Sequence, residues 1–205
     1  MGRAQRDDRQ TAPGCAAPRT ESWEGLCAPA RLYLAAGAWK SAHDLLEGPL
    51  REIPSAMALP LDAVEPLCLF LAACTRLGHD EHFAAGCTRL REVESRAGQL
   101  PPEAAALLAH SLAQEETRAG RYAQALARLE ALGEARLAEV GACTSARLAL
   151  LEGRIAAALA DERRAERAGL RAAERASEAG SESLRGDAYS LLAIVARRRG
   201  ALAEA

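Results

Sequence analysis

From Ser22 onward, apolar residues recur about every three to four positions with polar residues between them, the period of helices buried along one face. The stretch "PPEAAALLAHSLAQEETRAG" shows the plan. Pro102 suits a first helical turn, Glu103 favours its positive end, a Leu/Ala stripe follows at helical spacing, and Gly120 stops it. "GSESLRGDAYSLLAIVARRRG" repeats it, with Ser181 as cap and Tyr189, Leu192, Ala193 and Ala196 on one face. Arg197 to Arg199 then favour the negative end and Gly200 is the stop. The pattern predicts helices over 22–36, 39–51, 61–77, 80–96, 103–118, 122–132, 142–159, 161–179, 183–199 and from 201 onward. Pro54, Pro60 and Pro66 complicate the second unit. Residues 1–21, polar and aperiodic around Pro13, Gly14 and Pro18, predict a disordered lead to one helical domain over 22–205.

The stops are evenly spaced. Gly37, Gly78, Gly120, Ala160 and Gly200 stand 41, 42, 40 and 40 residues apart. Five positions after them come Ala42, Phe83, Ala125, Ala165 and Ala205; seven before come Ala30, Leu71, Ala113, Gly153 and Ala193. Small residues on both sides of a turn let two antiparallel helices approach, and self-similarity at a fixed period means stacked units. The second unit is the misfit, with Phe83 where a small residue belongs.

The residues "GAWKSA", "GRYAQALARL" and "GALAEA" resemble the turn between the two helices of a tetratricopeptide repeat. The usual period of that repeat is about 34 residues, and the longer one here resembles the sensor regions of MalT-type transcription activators and of bacterial signalling ATPases and kinases. The resemblance implies an all-α fold, a right-handed superhelix of about five antiparallel helix pairs whose first helices line a concave groove. Counted back from the turns, the inward polar positions of such a groove are His110, Gln114, Arg118, Arg154, Arg197 and Arg198. Arginines there suit carboxylate or phosphorylated ligands, because the guanidinium pairs bidentately. Clamps that hold a chain's terminal carboxylate with Lys and Asn are excluded: Asn is absent and Lys40 is the only lysine.

Composition narrows the classes. Aromatics make up 3% of the chain while Ala is abundant, which favours closely packed helices over a sheet. Arg-rich, Lys- and Asn-poor usage resembles that of a GC-rich bacterial genome. The net charge of −2 argues against nucleic acid as the partner of this chain. No leader-like or membrane-length apolar run is present, so a cytoplasmic location away from membranes is expected. The six cysteines form no Cys-x-x-Cys and read as reduced, buried hydrophobes.

Catalytic signatures are missing: no phosphate loop, no Gly-x-Gly-x-x-Gly, no Gly-x-Ser-x-Gly and no His-Glu-x-x-His occurs, so no enzyme and no cofactor is expected. "CTRLGHDEHFAAGC" collects Cys74, His79, His82 and Cys87, donors of the type zinc takes. Their spacing is not that of common zinc fingers, and the preferred reading is a polar turn flanked by two buried thiols, without metal. Arg163, Arg167, Arg171 and Arg175 share a helix face with glutamates three residues after most of them, the pattern of a solvated outer face.

These features predict a non-enzymatic scaffold or adaptor that holds a protein or peptide partner, acidic in character, in its groove. The alternative is the sensor portion of a multidomain transcription activator or signalling kinase. The helix expected from 201 onward is short, which leaves one face for a further segment, a partner or self-association.

Overall fold

The structure, a computed structural model, describes residues 23–203, with side chains described as far as residue 200. The lead expected over 1–21 lies outside the described residues. Among those described, ten α-helices follow one another and no strand occurs. They are α1 (Trp23–Ala35), α2 (Trp39–Arg51), α3 (Val64–Leu77), α4 (Asp80–Val93), α5 (Pro102–Arg118), α6 (Tyr122–Glu130), α7 (Gly133–Leu137), α8 (Ala142–Ala158), α9 (Glu162–Glu178) and α10 (Glu182–Ala203). Short 3-10 segments precede α3 (Leu61–Ala63) and follow α4 (Glu94–Gln99).

Four turns share one geometry. Gly37, Gly78, Gly120 and Ala160 take left-handed φ values of 76°, 75°, 74° and 60°. The next N–H in each case reaches back to the helix just ended: Ala38 to the Tyr33 carbonyl at 2.8 Å, His79 to Cys74 at 2.9 Å, Arg121 to Glu116 at 2.8 Å and Asp161 to Ala156 at 2.9 Å. This six-residue closure satisfies an otherwise orphaned carbonyl and reverses the chain. Ala160 makes the same turn without the freedom of glycine, at the steric cost of a Cβ facing the following carbonyl.

The fifth turn is a correction. Gly200 lies inside α10, and the left-handed residue is Gly180, with φ 63° and Ser181 N–H on the Ala176 carbonyl at 2.9 Å. One glycine costs a helix about 1 kcal/mol, and Ala201, Leu202 and Ala203 favour continuation, so α10 runs on where a second helix was expected. The helix predicted over 122–132 is α6, ending at Glu130, and a short helix α7 that the pattern did not predict follows from Gly133, φ 69°.

Helices α1, α3, α5, α8 and α10 touch in succession, and α10 touches α1, so these five form a closed ring. Helices α2, α4, α6 and α9 each pack against the two ring helices that flank them in sequence. The ring is pinned by polar contacts remote in sequence. Ser181 Oγ donates to the Ala35 carbonyl at 3.1 Å, and Arg76 on α3 pairs with Asp187 on α10.

The core changes character along the chain. Around α1 to α5 it holds Leu34, Leu46, Leu71, Phe83 and Leu90, all at most 2% exposed. Phe83, the misfit of the second unit, is buried in this core at 2% exposed. In the same unit a Cβ on Gly86 of α4 would lie 2.5 Å from Leu71 Cδ2, so the bulk of Leu71 is accommodated by an absent side chain opposite. Around α8 to α10 the core is mostly Ala156, Ala165, Ala172, Ala176 and Ala188. Alanines bury little area each, so this half relies on backbone proximity and dispersion. Gly153 provides it, since a Cβ there would meet the Ala165 carbonyl and Ala168 Cβ, each at 3.3 Å.

One ion-pair pattern is written twice. Arg128 pairs with Glu116, twelve residues earlier, and with Glu94, 34 earlier; Arg164 pairs with Glu152 and Glu130 at the same two separations. Consecutive units are therefore wired alike, one helical turn out of register with the turns.

Replacing Ala160 with Gly relieves the left-handed Cβ, worth about 1–2 kcal/mol, against a smaller loss of chain entropy. The expected outcome by calorimetry is a Tm about 2–4 °C higher, with Gly120→Ala shifting Tm in the opposite direction. A lower Tm for Ala160→Gly contradicts the turn geometry.

Candidate anion-binding cavity

A partly open cavity of about 200 Å³ lies among the ring helices. Its wall comes from four ring helices and the first residue of α2. Ala72, Thr75 and Arg76 come from α3, His110 and Gln114 from α5, Arg147, Leu150, Leu151 and Arg154 from α8, Leu184 from α10, and Trp39 from α2. The spacings explain the convergence. Arg147 and Arg154 are two helical turns apart, and His110 and Gln114 one turn, so each pair shares a face.

Positive charge dominates this lining. Asp187 on α10 pairs with Arg76 and stands 3.7 Å from Arg154. No described carboxylate forms an ion pair with Arg147, which is 7% exposed. Burial lowers its pKa most and Arg76 adds to this, with Cys143 and, more weakly, the Glu103 carboxylate opposing; as an arginine it stays charged. A buried cation without a counter-ion is costly, and an incoming anion relieves that cost. Burial also lowers the Arg154 pKa, with Asp187 opposing. Burial first, then Arg147 and Arg154, push His110 down to about 3, so its ring is neutral near pH 7 and offers one donor and one acceptor. The Arg76 guanidinium lies 5.1 Å over the Trp39 ring, which orients it.

Of the residues named from the groove register, His110, Gln114 and Arg154 line this cavity. Arg118 instead donates to Asp80 at 2.7 Å and lies 4.4 Å over the Phe83 ring. Arg197 is exposed, and Arg198 donates to the Ala157 carbonyl at 2.6 Å, satisfying the end of α8. The register fails for these last two because it was counted from Gly200, which is not a turn. Arg76, Arg147, Asp187 and Trp39 were missed. The register that selects Arg118 selects Arg76 when counted from Gly78, and Arg147 lies one heptad before Arg154.

The arginine stripe of α9 is exposed, with Arg175 paired to Glu178 at 2.8 Å and Arg171 to Glu152. The five described cysteines are free. Burial pushes the Cys27 and Cys87 thiols up to about 12 and Cys68 higher still, so these three are protonated near pH 7. The donor group named around Cys74 is recomposed: His43 joins Cys74, His79 and His82, while Cys87 Sγ faces the Ser111 carbonyl at 3.9 Å. Among the described residues no helix is long and apolar enough to cross a membrane. Comparison with family models, curated proteins and solved structures finds no match to the chain.

His110 makes the fold acid-sensitive in a defined window. Between pH 6.5 and about 3 the unfolded chain holds a proton on this ring that the folded chain does not. Its contribution to stability is therefore complete above pH 6.5 and is lost as pH falls. Urea titrations from pH 7 to pH 5 are expected to show a shallower loss for His110→Gln than for wild type; parallel losses contradict the assignment.

Proposed function

We propose that the chain is a non-enzymatic interaction module of the cytoplasm, a stack of stretched tetratricopeptide-like units closed into a ring, that receives an acidic or phosphorylated group of a protein partner. The observation that carries this reading is Arg147, a buried guanidinium without an ion-pair partner among the described residues, opening into a cavity shared with Arg76 and Arg154. Three forked cations against one carboxylate favour an oxyanion that accepts paired N–H bonds. Recurrence of the left-handed turn at residues 37, 78, 120 and 160, and of the Arg128 and Arg164 wiring, supports the repeat reading.

The size of the cavity favours one side chain over an extended peptide, since about 200 Å³ holds roughly seven waters at ~30 Å³ each. The same enclosure favours a second reading, the sensor portion of a multidomain transcription activator or signalling kinase, in which a small free anion fills the cavity and stiffens the ring.

Trp39 in the wall supplies the readout. Peptides bearing phosphoserine or glutamate are expected to change its fluorescence saturably, and uncharged analogues are not. Arg147→Met is expected to raise the Tm of the ligand-free protein while weakening binding about 10–100-fold, the worth of a hydrogen bond to a charged group. Binding unchanged by Arg147→Met overturns the proposal. Saturation by free phosphate or a small dicarboxylate, but not by peptides, moves the assignment to the sensor reading.

A further inference from the structure

We propose that His43, Cys74, His79 and His82 form a structural zinc site that fastens the first helix pair to the second. The inference is independent of the anion cavity. It starts from convergence: His43 comes from α2, Cys74 from the last turns of α3, His79 from the residue before α4 and His82 from the first turn of α4. One donor atom from each lies within 4.8 Å of the other three.

The backbone explains the gathering. Gly78 turns left-handed, and the His79 N–H closes on the Cys74 carbonyl at 2.9 Å. That bond brings the His79 side chain back over Cys74, and His82 follows one helical turn later on the same side. His43 enters from the preceding pair, packed on Phe70 with ring centroids 4.8 Å apart.

One donor pair already stands at the spacing of a tetrahedral ion. His43 Nε2 and His79 Nδ1 are 3.3 Å apart. Two imidazole nitrogens about 2.0–2.1 Å from zinc at the tetrahedral angle stand roughly 3.3–3.4 Å apart, and a thiolate at about 2.3 Å stands slightly farther from each. With donors up to 4.8 Å apart, the set needs to contract by about an ångström at its widest to meet these spacings.

The surroundings fit the same role. His43 Nδ1 stands 3.2 Å from Asp44 Oδ1, so Nδ1–H donates to the carboxylate and Nε2 presents its lone pair to the cluster, the carboxylate–histidine arrangement that orients metal ligands. Cys74 and His43 are buried while His79 and His82 are exposed, which leaves an entry path from solvent. On binding, Sγ–H loses its proton to solvent as the Sγ–zinc bond forms, with no change of oxidation state. One thiolate and three imidazoles suit zinc over the hard cations magnesium and calcium, and four protein donors make a closed site.

The test uses the full chain, stripped with chelator and titrated with zinc against a chromophoric competitor, then with cobalt as the spectroscopic probe. One equivalent of zinc per chain is expected, with a thiolate-to-cobalt charge-transfer band and tetrahedral ligand-field bands. Cys74→Ser is expected to abolish the charge-transfer band. His82→Ala, a surface change, is expected to weaken zinc at least ten-fold while leaving the Tm of the metal-free chain unchanged. Cys87→Ala is expected to keep both stoichiometry and band. Substoichiometric zinc in wild type, wild-type affinity in His82→Ala, or loss of the band in Cys87→Ala overturns the proposal.

Discussion

The architecture depends on a left-handed residue followed by an N–H that reaches back five residues. At Gly37, Gly78, Gly120 and Ala160 this closure reverses the chain within about three residues, so each helix must pack on the one it follows. Neither half of such a pair covers its own apolar face, and stacking supplies the remainder. Everything else in the fold is a consequence of where that hinge recurs.

Stacking here ends in closure. Helix α10 meets α1 through Ser181 and the Ala35 carbonyl, and meets α3 through Asp187 and Arg76. The ring interior must accommodate whatever polar groups the inward positions carry. Hydrophobic burial provides no counter-charge for Arg147, so the interior is left with excess positive charge. An oxyanion is the ligand that answers it, and affinity and apo-state stability then oppose one another at the same residue.

The sequence made legible what depends on local chemistry. Helix stops were readable because left-handed backbone favours glycine, and Ala160 was readable only through its place in the period. Gly200 misled because glycine permits a turn without forcing one, while Gly180, which does turn, lies off the 40-residue count. Legibility fell where three dimensions decide. Phe83 looked like a misfit where a small residue belongs, yet it is buried in the core, and Gly86 on the same helix makes the room that Leu71 needs. Cys87 looked like a partner of Cys74 because it is near in sequence, whereas His43, 31 residues before Cys74, is the side chain the packing delivers. Arg118 and Arg76 hold equivalent positions before their turns and both reach the residue two past the preceding turn, yet that residue is Asp80 for one and Trp39 for the other, so Arg118 is paired there while Arg76 stacks on a ring and lines the cavity.

Ring closure is the central claim, and the Arg76–Asp187 pair tests it most directly, since 111 residues separate the two and closure is what brings them together. A double-mutant cycle in urea with Arg76→Met, Asp187→Asn and the double variant is predicted to give a coupling of about 0.5–3 kcal/mol, weakened by salt. A coupling of zero, with the two single effects simply adding, contradicts the closed ring and the cavity within it.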